Sequence, residues 1–171
     1  MKNLLITTFM LLGLMAFAQN DLPNREAFTL KLAVDNDQFY EMDVEKSAYL
    51  PAEKVLQIYP GEKVFVEAEI KADTIFSMKT VKEIKFPERT ISIEFKQSVK
   101  EDGKGHEQML LSVKNPFGKY LAYNAAMYIV GHDEWIDTSI IPVYPKIVGY
   151  EMWNDVIISI VLHSWRLQDK P

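Results

Sequence analysis

Any chemistry in this chain starts from three histidines, His106, His132 and His163, and a scatter of carboxylates. Nucleophilic hydrolysis needs a nucleophile, a base and an orienting acid brought together in space. The chain has no G-x-S-x-G elbow and no cysteine, so neither an elbow serine nor a thiol is on offer. His132-Asp133-Glu134 has the composition of a metal cluster. In an extended segment, however, His132 and Glu134 share a face while Asp133 points away. Two ligands fall short of the four that a closed zinc site takes, and a third would have to come from His106 or Glu151. Copper carriers use Met and His, but His106 and Met109 are three apart, which sends them to opposite faces of a strand. Met42, Met78, Met109, Met127 and Met152 read instead as core filling. Asp35, Asp37, Glu41 and Asp43 bring oxygens suited to calcium. An EF-type loop also needs an oxygen ligand at its fifth position and Gly at its sixth, where this chain has Phe39 and Tyr40. The sequence therefore predicts no catalytic residue, no metal and no cofactor.

Aromatic residues are the feature that remains. Trp135, Trp153 and Trp165 lie near the C-terminus, with Tyr144 and Tyr150 among them. Such rings offer flat apolar faces with a polar handle, suited to anchoring a partner or stacking a sugar. Trp153 precedes a strongly apolar run and is expected in the core. Trp135 stands among Asp133, Glu134 and Asp137 and is expected at the surface. The predicted binding residues are Trp135, Asp137, Tyr144, Tyr150 and Glu151. The leading expectation is a non-enzymatic protein that binds a partner protein or an envelope component, through these loops or by strand-edge pairing. A carbohydrate-binding module is the first alternative, with Trp135, Tyr144 and Tyr150 as a coplanar platform. A hydrolase using Asp133, Glu134 and Glu151 is the second; it would need a carboxylate pair ~5–10 Å apart in a cleft.

The chain's address comes from its first residues, MKNLLITTFMLLGLMAFAQN. Lys2 supplies a positive start. Leu4 to Met15 is apolar apart from Thr7, Thr8 and Gly13. Ala16-Phe17-Ala18 then places small residues for cleavage, leaving Gln19 as the new N-terminus. The run is shorter than the ~20 residues a spanning helix needs. Residues 1–18 are thus expected to be a signal peptide, and 19–171 a single domain, periplasmic or secreted. Gln19 stands where a lipid-bearing cysteine would be, so no membrane insertion is expected after cleavage. Loss of Lys2 takes the 19 basic residues to 18 against 24 acidic, a formal net charge of −6. Nucleic acid and anionic membranes both reward positive charge, so neither is an expected partner.

The elements that must position these residues alternate with period two. Phe28, Leu30, Leu32 and Val34, then Tyr40, Met42 and Val44, read as a hairpin around Asp35-Asn36-Asp37. Val55 to Tyr59 is expected as a strand in preference to a short helix after Pro51. Pro60-Gly61-Glu62 is a turn. Val64 to Ile70 reads as a strand with one wet face. Ile91, Ile93, Phe95 and Val99 point one way, and KEDGKG then turns the chain into Met109, Leu111 and Val113. Lys119 to Val130 is a long strand with Leu121, Tyr123, Ala125, Met127 and Ile129 on one face, 131–139 is expected to be polar and irregular, and Ile140 to Tyr144 a short strand broken by Pro142. Val156 to Leu167 is expected to be central. About eight strands predict an all-β, two-sheet antiparallel β-sandwich of Ig-like type, with a closed barrel as the alternative.

NPFGKYLAY, EWIDTSIIPVYP and YEMWNDVIISIVLHSWRL resemble the C-terminal half of uncharacterised exported bacterial β-sandwich proteins. The resemblance covers residues 115–167 and rests on the Asn-Pro-Phe turn, Thr-Ser before Pro-Val, and Glu-x-Trp before the last strand. This chain departs from that pattern at Ile141, where a cysteine is expected before Pro-Val. The resemblance implies a β-sandwich and no particular activity.

Overall fold

The computed structural model describes residues 23–35, 37–101 and 103–171, so the expected signal peptide, residues 1–18, lies outside the described residues. Thirteen strands and no helix occur among them: β1 (Asn24–Arg25), β2 (Phe28–Ala33), β3 (Phe39–Val44), β4 (Ser47–Ala48), β5 (Leu56–Ile58), β6 (Lys63–Lys71), β7 (Thr74–Val81), β8 (Thr90–Val99), β9 (His106–Lys114), β10 (Tyr120–Ile129), β11 (Trp135–Thr138), β12 (Val148–Trp153) and β13 (Ile157–Gln168). The count exceeds the expected eight because several are short. β1, β4 and β5 are two or three residues long. Trp135–Thr138 forms β11 where an irregular segment was expected, because its backbone pairs with β10. The strand expected at Ile140 to Tyr144 is not formed; only Val143 pairs there, in an isolated bridge to Leu121.

Two sheets do most of the enclosing. One has four strands in the order β11-β10-β13-β5, the other five in the order β12-β9-β8-β6-β7, and every pairing is antiparallel. Alternation turns Val64, Val66, Ile91, Ile93, Phe95, Met109 and Leu111 of the larger sheet inward. Leu121, Tyr123, Met127, Ile160 and Leu162 of the smaller sheet meet them in one buried cluster. The arrangement is all-β and sandwich-like. The β2–β3 hairpin lies on the other side of the smaller sheet, where Leu30, Leu32 and Val44 pack with Ile158, Tyr128 and Val130. β13 is therefore apolar at both parities, with Ile157, Ile158 and Ile160 all buried, because both of its faces are covered.

The alternation slips in β13. Ser164 takes a positive φ of 55°, and the register with β10 shifts between Ala122 and Asn124. This bulge lets Leu162 and Trp165, three apart, both turn inward. Trp165 then packs on Tyr123 with ring centroids 4.7 Å apart. At the end of β8, Val99 is exposed where its parity predicted burial, and the register with β9 shifts between Ser98 and Val99.

The N-terminal segment is pinned by a buried charge. Arg25 is only 1 % exposed. Its Nε donates to Glu62 Oε1 at 2.7 Å and its Nη2 to Glu62 Oε2 at 2.9 Å. Nη2 also donates to the Gln57 carbonyl at 2.8 Å, and Nη1 to Ser47 Oγ at 3.0 Å. The rings of Tyr49 and Tyr59 lie over the guanidinium at 4.8 and 4.7 Å. Burial pushes the Tyr49 hydroxyl pKa up, Glu62 adds to the rise, and Arg25 opposes it. Arg25→Ala, which strands the Glu62 carboxylate, is expected to cost about 3–5 kcal/mol in urea unfolding. Arg25→Lys recovers only part of this, because an ammonium cannot make the two-pronged contact. A loss within experimental error for Arg25→Ala would show that the pair does not hold the segment.

Candidate functional site

The residues expected to bind are organised by one buried amide. Asn115 opens the Asn-Pro-Phe turn and is fully buried. Its Oδ1 accepts from Phe117 N at 2.9 Å, the self-contained turn that Asn favours. Its Nδ2 donates to the carbonyls of Lys119, Val143 and Tyr144 at 2.8, 2.9 and 3.1 Å. One side chain thus ties the 115–119 turn to the segment that links β11 to β12. Lys146 Nζ donates to the Pro116 carbonyl and closes the same contact from the other side. Val143 is buried against Gly149 of β12, where a Cβ would stand 2.7 Å from a Val143 methyl. Only glycine at 149 lets the linking segment come that close.

The predicted binding residues do not converge on one platform. Trp135 and Asp137 of β11 are exposed. Trp135 sits opposite Tyr128 in the ladder, with ring centroids 5.4 Å apart, on the outer side of the smaller sheet. Tyr144 packs at a tilt of 56° on Tyr120, with ring centroids 4.7 Å apart, near the opposite end of β10. Tyr120 and Tyr128 are eight positions apart along the strand, about 27 Å at ~3.4 Å per residue. Tyr150 pairs with Ser112 of β9 and belongs to the outer face of the larger sheet. The rings of Trp135, Tyr144 and Tyr150 are therefore dispersed over two faces. Glu151 has the inward parity at the edge of β12, and its Oε1 accepts from Ile141 N at 2.9 Å. Its charge adds to the burial that drives the Tyr123 hydroxyl pKa far above its ordinary value.

What assembles instead is an apolar strip along β12. Val148, Tyr150 and Met152 are 37, 62 and 61 % exposed, and the neighbouring Ile141 and Ile147 are 70 and 51 % exposed. Met152 was expected in the core; its parity turns it outward, and nothing covers that face among the described residues. Alternation in VGYEMW held this signal, since Val148, Tyr150 and Met152 share a side. A reading by residue type alone drew Met152 toward the interior, while Tyr150 was expected at a binding surface. Trp153 does pack against the core, as expected, and its Nε1 donates to Thr138 Oγ1 at 3.1 Å. That bond brings the end of β11 beside the end of β12. Arg25, Glu62 and Asn115 carried no signal of burial in the sequence, because polar type predicts exposure.

The histidines serve separate ends. His132, Asp133 and Glu134 are exposed in the turn after Gly131. His163 Nδ1 lies 2.9 Å from the Ser164 hydroxyl. Among the described residues no group of three His, Asp or Glu side chains stands close enough to hold a metal ion. The acidic hairpin residues have basic or hydroxyl neighbours: Lys104 Nζ reaches Asp37 at 3.4 Å, Lys31 Nζ reaches Glu41 at 2.8 Å, and Thr29 Oγ1 donates to Asp43 at 2.8 Å. His106 has a structural part. Gln97 Oε1 accepts from Ala33 N at 2.9 Å, and Gln97 Nε2 donates to the Ala33 carbonyl at 2.8 Å. This pair of bonds fixes the amide orientation, so Nε2 faces His106 Nδ1 at 2.9 Å and the imidazole nitrogen must accept. Desolvation pushes the His106 pKa down. The Asn154 backbone and Asp155 push it up by less, and Lys100 pushes it further down.

No protein-family profile, curated protein or solved structure matches the chain.

Two expectations follow from these contacts. Asn115→Ala leaves the buried Phe117 N–H without its acceptor and removes the amide's bonds to the carbonyls of Lys119, Val143 and Tyr144, and is expected to cost about 2–3 kcal/mol in denaturant unfolding. It should also raise proteolytic cleavage between residues 139 and 147, and unchanged cleavage there would count against the tie. Protonated His106 would set N–H against the Gln97 NH2. The folded state therefore holds His106 below its ordinary pKa of 6.5. The resulting stability is present above that value and is lost as pH falls through the lower, folded-state pKa. The urea midpoint should drop between pH 7.5 and about 5.5, and His106→Asn, which keeps an acceptor and cannot titrate, should flatten that drop.

Proposed function

We propose that this chain is an exported, non-enzymatic protein that binds a partner protein or envelope component with the side of the fold carrying β12. The observation that carries the reading is the outward row Val148, Tyr150 and Met152, flanked by Ile141 and Ile147. Contiguous exposed apolar surface of this kind marks interaction sites, and Tyr and Met are enriched at their centres. The row is held in place from its inner side, by Asn115 on the linking segment and by the close approach of buried Val143 to Gly149. A built support under an apolar surface favours a contact surface over incidental exposure.

Export rests on the signal-peptide pattern of residues 1–18, and a periplasmic or secreted location goes with it. The net negative charge keeps nucleic acid off the list of partners. An Ig-like arrangement of the two larger sheets belongs to the same proposal, as does the kinship of residues 115–167 with exported bacterial β-sandwich proteins. The dispersal of Trp135, Tyr144 and Tyr150 over two faces leaves the carbohydrate platform without support.

A photo-crosslinking residue in place of Tyr150 is expected to capture one predominant component of the native envelope. The same residue in place of Glu41, exposed on the β2–β3 hairpin, should not capture it. Tyr150→Ala combined with Met152→Ala should weaken binding to that component about tenfold or more. Equal capture at both positions, or none at either, would end the reading.

A further inference from the structure

The edge of a sheet ends in backbone groups that its own neighbours leave unused. β12 is such an edge, joined to the five-stranded sheet only through β9. Asn115 N donates to the Ile147 carbonyl at 2.9 Å, and the ladder continues with Val148 opposite Lys114 and Gly149 opposite Val113. Antiparallel alternation therefore turns the N–H and C=O of Gly149, Glu151 and Trp153 toward β9. Those of Val148, Tyr150 and Met152 point away from it. Among the described residues none of these outward groups has a hydrogen-bond partner. Edge strands are ordinarily guarded by Lys, Pro or an exposed charge. VGYEMW has neither Lys nor Pro, and its one charge, Glu151, has inward parity and accepts from Ile141 N.

We infer that β12 pairs antiparallel with β12 of a second copy of this chain, about a two-fold axis at Tyr150. The strand is complementary to itself in that register. Tyr150 faces Tyr150 of the second copy, and Val148 faces Met152 of the second copy. All three pairs join outward groups, giving about six backbone hydrogen bonds between chains. Gly149 then faces Glu151 of the second copy, so the only charge in the strand meets no like charge. A slip of two residues one way opposes Glu151 to its own counterpart; the other way it leaves Met152 unpaired. A slip of one residue turns bonded groups against free ones and forms no ladder. The exposed side chains of Val148, Tyr150 and Met152 from both copies then form one apolar row across the joined sheet. This rests on the proposal that the β12 side is a contact surface and names a second copy as what it contacts.

The absence of cysteine makes the register directly readable. Facing residues of a hydrogen-bonded antiparallel pair stand about 5.5 Å apart at Cα, inside the span of a disulfide. Tyr150→Cys in the mature protein should form a covalent dimer rapidly under mild oxidation. Val148→Cys alone and Met152→Cys alone should not, while a mixture of the two should. Sedimentation of the unsubstituted mature protein should give twice the chain mass. Tyr150→Pro removes an outward N–H and spares the ladder with β9, so it should give a monomer with an unchanged far-UV spectrum; Met152→Lys is the second variant if Tyr150→Pro misfolds. A monomeric mass, with Tyr150→Cys crosslinking no faster than Glu41→Cys, overturns the inference. If position 150 still captures an envelope component in that case, the contact-surface reading survives and only self-pairing is lost.

Discussion

A guanidinium sealed from water beside its own carboxylate is the contact that the rest of this fold relies on. Burying two charges is costly, and a buried pair persists only where its remaining hydrogen-bonding capacity is met. Arg25 and Glu62 meet that condition. The guanidinium reaches Glu62, Ser47 and the Gln57 carbonyl, and Glu62 Oε2 also accepts from Tyr59 N at 2.8 Å. Arg25 lies in β1, and its three partners come from β4, from β5 and from the turn before β6. The same turn is bound to β8, through Gly61 N to the Phe95 carbonyl and Phe95 N to the Glu62 carbonyl. A chain without disulfides thereby fastens its N-terminal segment, and the hairpin that follows, to both large sheets. Surface pairs such as Lys31 with Glu41 or Lys46 with Glu26 are more than half exposed and contribute little by comparison.

Asn115 plays the matching part for the segment between β11 and β12. Its amide donates to the carbonyls of Lys119, Val143 and Tyr144 and accepts from Phe117 N, and these bonds tie the segment between β11 and β12 to the 115–119 turn. That segment brings buried Val143 against Gly149. The exposed apolar row itself follows from the parity of β12, which turns Val148, Tyr150 and Met152 to the outer face. Gln97 extends the same logic to the hairpin, where its amide pairs with both backbone groups of Ala33 and needs an unprotonated His106 beside it.

Much of the fold was legible because a strand's side chains alternate. The inward rows of β6, β8, β9 and β10 can be read directly from residue type. The irregularities were not legible. The bulge at Ser164 depends on how β13 meets β10, and Ser is not the residue that announces a positive φ. β11 pairs despite a polar sequence because β10 offers it a partner. Ile140 to Tyr144 pairs only at Val143 despite an apolar sequence, and its remaining ties are to side chains, Ile141 N to Glu151 and the Val143 and Tyr144 carbonyls to Asn115. For the site, residue type located the aromatic residues but not their faces.

The sequence by itself determined the class of the fold: period-two patterning can bury one side of a chain only if the chain is extended and paired. It also determined that no triad, zinc motif or EF-type loop is written in local spacing. Which strands became neighbours, which edge stayed open, and which polar residues were buried were decided only in the tertiary structure. The physical reason is range. Alternation acts between residues two apart, whereas the contacts of Arg25 with Glu62 and of Asn115 with Tyr144 join residues 37 and 29 apart. Whether such groups end in water or in the interior depends on what the rest of the chain brings to meet them.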